Sequence, residues 1–533
     1  MKHIFQFIAA LAICAAAITG AKAQAPQFDD VQKLAATRQI IERFYVDTID
    51  GHHVTDEAIR AMLRALDPHS TYTDAEETRA FTEPLQGNFS GIGIQFNMLD
   101  DTVRVIQTVA GGPSEKVGVL PGDRIMLVND TAVSGVKLPQ NDAMKVMRGP
   151  KGSDALLKVL RRGVADTIEF RVVRDDIPTY SVSSAYMADS VTGFIKVTLF
   201  SETTADEVRQ AVLKLKKQGM RDLIIDLEDN GGGILGAAVE MAGLFLHKDD
   251  LIVYTEGRNA PTTHYRNQSE GIMTDGRLVV AVNQYSASAS EIFAGAMQDN
   301  DRGVVVGRRT FGKGLVQRPV PFPDGSMIRL TVQRYYTPSG RCIQKPYTAG
   351  DEDEYNADMM RRYRGGEFTS ADSVHFADSL RCTTLKLGRT VYGGGGIMPD
   401  IFVPIDTAYF STYYRNLVAR SIIPRFTNNY IDNNRRTLKA EYPTEDAFIK
   451  RFEVTGAMLD SITAMAERDG LPLDSAQFAT SLPAIRSIVK GLIGRDLFEQ
   501  STYYRAVNHL DPIYRRSLDL LQQRQDYTTI LPD

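Results

Sequence analysis

The chain has 533 residues, 43% of them hydrophobic, and carries 61 Lys and Arg against 66 Asp and Glu for a formal charge of −5. That length implies several domains with ample apolar material for their cores. The small negative charge opposes strong nucleic-acid binding, and no stretch reads as low-complexity sequence or a short repeat.

The chain begins with a short basic segment, Met1-Lys2-His3, then a mostly apolar run over 4–20 and the Ala-x-Ala site Ala21-Lys22-Ala23. This pattern predicts a signal peptide over 1–23, cleavage before Gln24, and export to the periplasm or the medium. Ile13 before Cys14 is too large for the residue that usually precedes a lipidated cysteine. With Cys14 removed, Cys342 and Cys382 remain, and the sequence leaves open whether they pair. No His or Cys stands at ligand spacing beside them, so no metal is expected. No later stretch is long and apolar enough to span a membrane.

Residues 24–86 predict a mostly helical region, with Ile40, Ile41, Phe44 and Tyr45 as its apolar stripe. Residues 87–175 read as a small β-rich module. Glycines interleave with apolar residues in Ser90-Gly91-Ile92-Gly93-Ile94-Gln95-Phe96, and 103–106 and 123–128 supply further strands. A short helix is predicted from Gly112-Pro113, and another over 142–147. Residues 176–405 alternate strands and helices, the pattern of an α/β core. The polar stretch 349–355 is expected to be a solvated insertion. From 406 to 533 the pattern is helical without a chemical motif, which leaves core helices and an oligomer interface both open.

Two strand-to-helix turns in the α/β region carry possible chemistry. Leu223-Ile224-Ile225 predicts a buried strand running into Asp226-Leu227-Glu228-Asp229-Asn230-Gly231-Gly232-Gly233, with a helix from Ile234. Leu278 to Val282 predicts a second strand, handing over at Ser286-Ala287-Ser288-Ala289-Ser290-Glu291 to a helix with Ile292, Phe293, Ala296 and Met297 on one face. A serine hydroxyl there stands beside unpaired amides and the positive end of a helix, which stabilise an oxyanion. Downstream, Phe311-Gly312-Lys313-Gly314 offers a lysine between glycines. Lys313, Leu315 and Gln317 share one side of an extended chain, which would let the Gln317 amide orient the amine. Lysine serves as a base only where burial or a nearby cation lowers its pKa.

Plainer readings compete at each point. A serine before a helix is most often a cap, a lone lysine a surface charge, and a glycine run a tight turn. A Ser-His-Asp triad stays open because its members meet only in the fold. Gly307-x-x-x-x-Gly312-Lys313 has the opening of a phosphate-binding loop, but Gly314 replaces the Ser or Thr that loop needs, and a strand pattern follows where a helix should.

Taken together, the motifs resemble the carboxyl-terminal processing peptidases, or tail-specific proteases, serine peptidases with a Ser/Lys dyad and a PDZ domain. Leu66-Asp67-Pro68-His69-Ser70, Arg148-Gly149-Pro150-Lys151-Gly152 and Gly393 to Pro399 match further segments of that family in order. Glu228 and Gly231 depart from it, standing where arginine and often proline occur.

The resemblance implies an α/β multidomain chain. It would comprise an N-terminal helical region, a PDZ module, a crotonase-like α/β peptidase core and a C-terminal helical region. It implies Ser288 as nucleophile, Lys313 as base, Gln317 as its partner, and the amides of Gly232 and Ala289 as the oxyanion hole. Gly91, Ile92, Gly93 and Ile94 would receive a peptide carboxylate, with the helix over 142–147 forming the side-chain pocket. The expected activity is an endopeptidase acting on proteins or peptides with free C-termini, without metal or cofactor. An adaptor or activating partner and a homo-oligomer are left open. The alternative is a catalytically silent scaffold, or an enzyme gated by its PDZ module.

Overall fold

The structure is a computed structural model that describes residues 29–532. The predicted signal peptide and Cys14 lie outside the described residues. The chain divides into two units, Met1–Leu63 and Arg64–Asp533.

In the first unit the helix Asp30–Phe44 begins with a capping box. Gln32 N–H donates to Asp29 Oδ1 at 2.7 Å, and Asp29 N–H to Gln32 Oε1 at 3.4 Å. A second helix spans Gly51–Arg64.

In the second unit, a five-strand antiparallel path forms the β-rich module: Ile94–Leu99, Thr102–Thr108, Arg124–Val128, Asp154–Leu160 and Ile168–Val173. Alternate residues, among them Val103, Val105, Leu157 and Val159, face one core with Ala143 and Met147 of the helix Gln140–Met147. The glycine-interleaved segment from Ser90 to Phe96 spans the end of one strand and the start of another. Asn88–Gly91 pairs antiparallel with Asp175–Pro178, closing the module where the chain enters and leaves it, and Ile94–Leu99 joins the main sheet. Gly93, at φ 73°, makes the break between them.

The α/β core is a six-stranded sheet in the order Val182–Met187, Thr192–Val197, Asp222–Asp226, Leu278–Val282, Val304–Gly307 and Ile401–Phe402. The first pair is antiparallel and the rest are parallel. Leu278 to Val282 is apolar at every position because both faces are covered. Leu278, Val280 and Val282 pack into one cluster with Phe293 and Met297 of the helix Ala289–Asp299. Val279 and Ala281 pack on the other side against Ile513, Leu520, Leu521 and Tyr527. Part of the C-terminal region is therefore core to this sheet. Its remaining helices, including Ile422–Glu441 and Ser475–Leu497, bury a cluster of their own around Phe448, Ile462 and Ile493.

A second sheet joins Thr71–Thr73, Met327–Tyr336, Leu251–Gly257 and Ala260–Arg266, with Leu315–Pro321 also paired to Met327–Tyr336. The stretch expected to be a solvated insertion folds into the helix Glu352–Arg364, capped by the Asp351 side chain on Glu354 N–H. Its acidic start is exposed, but Tyr355 and Arg362, seven residues apart on one face, are buried.

Candidate active site

The serine turn departs from helical geometry at one residue. Ser288 has φ 57° and ψ −113°, an unusual conformation for a side chain with a Cβ, and the helix starts immediately after it. The hydrogen bonds around it hold the turn in place. Ser286 Oγ donates to Leu227 O at 2.8 Å, Ser290 Oγ to Asn230 O at 2.8 Å, and Ala287 N–H to the same Asn230 carbonyl at 3.0 Å. The outer two serines thus tie the turn to the glycine loop, while the middle one lines a cavity.

That cavity, of about 540 Å³, is lined by Ser288, Ala289, Gly232, Lys313 and Gln317 among others, with Leu199, Ile234 and Ile292 among its apolar walls. The five expected core residues come from the two turns and the lysine segment, far apart in sequence. No histidine lines the cavity among the described residues, so no Ser-His-Asp arrangement forms there.

Gly232 cannot be replaced without strain. It has φ 103°, and a Cβ there would lie 2.7 Å from Ala287 O and 2.8 Å from Ser288 Cβ. Its N–H donates to Asn230 Oδ1 at 2.9 Å, so this amide is engaged within its own loop. Asn230 is fully buried and also donates from Nδ2 to Val197 O at 2.9 Å. Beneath the loop, Lys196 pairs with Asp226 at 2.8 Å. Glu228, where the family has arginine, is buried beside Asp511 and Asp226, and burial together with those carboxylates holds its pKa well above the usual range.

Lys313 is withdrawn from water, which lowers its pKa; Arg329 lowers it further, while Glu291 and Asp67 oppose the shift. The chain is extended from Leu315, and a bulge between Val316 and Gln317 breaks the alternation that would align Gln317 with Lys313. The Gln317 amide forms no hydrogen bond with the Lys313 amine among the described residues. Its Nε2 donates to Thr331 Oγ1 at 3.2 Å, which donates to Asp67 Oδ1 at 3.0 Å. Ser70 Oγ completes this network, donating to Asp67 Oδ2 at 2.6 Å and accepting Thr331 N–H at 3.0 Å. The Leu-Asp-Pro-His-Ser segment thus anchors the strand that carries Gln317. His69 contacts Tyr355 Oη at 2.8 Å, and burial first, then Lys313, pulls its pKa down to about 4.

Sequence reasoning gave no role to Glu291. It is fully buried in the first turn of the helix, and its carboxylate accepts the N–H groups of Ser288, Gly312 and Lys313 and the Thr310 hydroxyl. Burial pushes its pKa up to about 7 against the pull of these four donors. The Tyr335 hydroxyl adds a second link, reaching the carbonyls of Ser288 and Lys313. The visible signal was a glutamate three residues after a helix-capping serine, which reads only as a capping box.

In the β-rich module, Gly91, Ile92, Gly93 and Ile94 line a smaller cavity of about 70 Å³ with Phe96, Met144 and Met147. The last two come from the predicted facing helix. Cys342 and Cys382 are free thiols in this structure. The phosphate-loop alternative has no support at Lys313, because the strand Leu315–Pro321 follows it in place of a helix.

Family comparison agrees with this layout. The peptidase family S41 model matches residues 191–353, and the PDZ domain model matches 90–172. The activating protease CtpB N-terminal domain matches 11–78, and a family of unknown function matches 413–499. Carboxy-terminal processing protease CtpA of Bacillus subtilis is 37% identical over 320 residues, covering 60% of this chain and 67% of that protein. A carboxy-terminal-processing protease of Bartonella bacilliformis is 36% identical over 321 residues, covering 59% and 73%. The solved photosystem II D1 C-terminal processing protease is similar at 25% identity, covering 72% of this chain and 95% of that one with a TM-score of 0.36. With a PDZ domain preceding an S41 peptidase core and curated relatives matched over two thirds of their length, this chain belongs to the carboxy-terminal processing proteases and is a serine protease.

Proposed function

We propose that this protein is an exported endopeptidase that trims protein C-terminal tails with Ser288 as nucleophile and Lys313 as general base. The observation that carries the reading is the shared cavity: Ser288 lies at a helix start, and the same cavity holds a lysine whose burial favours the neutral amine.

Ser288 Oγ attacks the scissile carbonyl as its proton passes to Lys313 Nζ. The oxyanion is held by the Ala289 amide at the helix start and by the glycine loop. Collapse of the tetrahedral intermediate breaks the C–N bond, and the Lys313 ammonium returns the proton to the leaving amine. Water then hydrolyses the acyl-enzyme, with Lys313 again taking a proton and Ser288 recovering its hydrogen. Every proton and electron pair has an owner in these steps, so they call for no metal or cofactor. The PDZ cavity beside Gly91 to Ile94 would take the free C-terminus of the substrate. Residues 1–23 would direct export.

Two observations favour a gated form of this enzyme. The Gly232 amide, needed for the oxyanion, is bonded to Asn230, and the Gln317 amide is held by Thr331 instead of Lys313. Both fit a resting geometry that a bound tail or an activating partner would convert.

The test is digestion of an unstructured protein with an apolar C-terminal tail by the mature chain, with Ser288→Ala and Lys313→Ala in parallel and products read by mass spectrometry. Loss of cleavage in both variants supports the dyad. Cleavage surviving Lys313→Ala at full rate would remove lysine as base. Stimulation by an added C-terminal peptide would mark the gated form.

A further inference from the structure

One charge in the catalytic cavity lacks a counter-charge among the described residues. Arg329, on the strand Met327–Tyr336, lines the cavity that holds Ser288 and Lys313. Its guanidinium lies over Phe81, with Cζ 3.9 Å from the ring centroid, and its Nε is buried without a hydrogen-bond partner among the described residues. Among the described residues, Lys313 is the other charged residue of the lining, and no carboxylate belongs to it. A half-buried guanidinium with no anion beside it is unfavourable, and its planar fork matches a carboxylate with two parallel hydrogen bonds. Stacking on Phe81 fixes the plane of that fork while leaving its N–H edges free. The backbone is held on both sides, by Pro319 of one neighbouring strand and Thr71 of the other.

From this arrangement we propose that Arg329 is a substrate subsite that binds a carboxylate of the polypeptide within a few residues of the bond Ser288 attacks. The proposal rests on Ser288 and Lys313 being the working pair. Two sources share the chemistry: the α-carboxylate of a chain end, and an Asp or Glu side chain. The first would make the enzyme cut close to the terminus; the second would select acidic positions within a tail. A carboxylate at Arg329 would offset part of the positive field on Lys313. Burial, the larger cause of the lysine's lowered pKa, would remain.

The test begins with bonds cut in β-casein by the mature protein. Peptides spanning one such bond and ending two, three or four residues beyond it are made as free acids and as amides. Longer peptides carry Glu or Gln at the same positions and on the other side of the bond. The subsite predicts kcat/KM about tenfold or more higher for the charged member of at least one pair, the range of a charge-assisted hydrogen bond. That preference should vanish in Arg329→Gln and persist in part in Arg329→Lys. Preference for the free acid assigns a chain end; preference for Glu over Gln assigns a side chain. Equal rates on every pair with the unaltered protein overturn the subsite without any variant. A preference that survives Arg329→Gln belongs to the PDZ module and overturns it too. Should the unaltered protein cut no bond, the same pairs are titrated onto Ser288→Ala and Ser288→Ala/Arg329→Gln, where affinity is read by the same criteria. Cleavage that survives Ser288→Ala is a different result, overturning the catalytic reading and the subsite with it.

Discussion

A single oxygen of Glu291, Oε2, accepts the Ser288 amide at 2.8 Å and the Lys313 amide at 2.9 Å. Two residues that the proposed mechanism brings together are thus registered through their backbones by one buried carboxylate. Its other oxygen accepts Gly312 N–H at 2.7 Å and the Thr310 hydroxyl at 2.6 Å, so every contact is a donor. Glu291→Gln would aim an NH₂ group at some of them. Such a variant should lose about 2 kcal/mol of stability, and a displacement of about 1 Å at the dyad should lower kcat about a hundredfold. Urea unfolding and steady-state kinetics check both. Unchanged kcat in a folded Glu291→Gln would show that the dyad needs no such tie.

The same carboxylate has a pH signature. Its folded pKa of about 7 stands above the ordinary glutamate value of 4.5, so the folded state binds more protons than the unfolded one between those values. Its contribution to stability is present at low pH and is lost as pH rises from about 4.5 to 7. Thr310→Val removes one of the donors opposing the rise and should move the upper end of that window to higher pH. Stability against pH for the two proteins gives the comparison, with the curves expected to part near neutrality.

Lys313 shifts the opposite way. The groups acting on it are Arg329, which lowers its pKa alongside burial, and Glu291 and Asp67, which raise it. Activity should climb from neutral toward alkaline pH with a midpoint below the free-lysine value of 10.5. In Arg329→Gln the midpoint should move up, since a positive neighbour is removed. A buried amine that is more easily charged when unfolded also weakens the fold at neutral pH. Lys313→Met should therefore abolish cleavage while gaining about 1 kcal/mol of stability. A flat pH profile, or a Lys313→Met protein less stable than the parent, would count against a desolvated base.

Much of this was readable in the chain. Leu223 to Ile225 and Leu278 to Val282 are apolar without alternation, and each ends at glycines or small residues, so strand-to-helix turns followed from local chemistry. The PDZ and S41 motifs did the same for the fold. What stayed hidden depends on partners brought in by the tertiary fold. Glu291 reads as a cap until Thr310 and Gly312 close around it, and Arg329 sits in an alternating strand where arginine normally faces water. Thr331 and Asp67, the actual neighbours of Gln317, come from different parts of the chain. The acidic start of the helix Glu352–Arg364 masked its buried face, although Tyr355 and Arg362 at a spacing of seven were the available sign.

That helix braces the lysine segment. Arg362, 3% exposed, donates to Thr310 O at 3.0 Å and Arg309 O at 2.7 Å, and pairs with Glu367 at 3.1 Å. Tyr355 on the same helix packs edge-on to Phe311, and Lys345 sits 4.1 Å and 4.0 Å from the two rings. Arg362→Ala would leave the buried Thr310 carbonyl and the part-buried Arg309 carbonyl short of a donor, while Glu367 keeps its pair with Arg309, a loss of about 2 kcal/mol. Cleavage should fall mainly through kcat, because Lys313 loses its support while the PDZ cavity is untouched. A KM effect alone would place the helix in tail binding instead.

The last two helices carry a separate expectation. Tyr527 Oη lies 3.1 Å from both the N–H and the carbonyl of Leu278, on the strand that leads to Ser288. Ile513, Leu520 and Leu521 are buried in the same cluster as Val279, Ala281 and Val304. Truncation before Pro512 would uncover an apolar sheet face in the middle of the peptidase core, so the shortened chain should aggregate or fail to accumulate as folded protein. Tyr527→Phe tests the link more gently, costing about 1 kcal/mol for its buried hydrogen bonds while the apolar contacts remain. If the truncated chain stayed soluble and cleaved at the parental rate, these helices would be an attachment and not a layer of the enzyme. Partial activity with a lowered melting temperature in Tyr527→Phe would instead tie the strand that leads to Ser288 to the end of the chain.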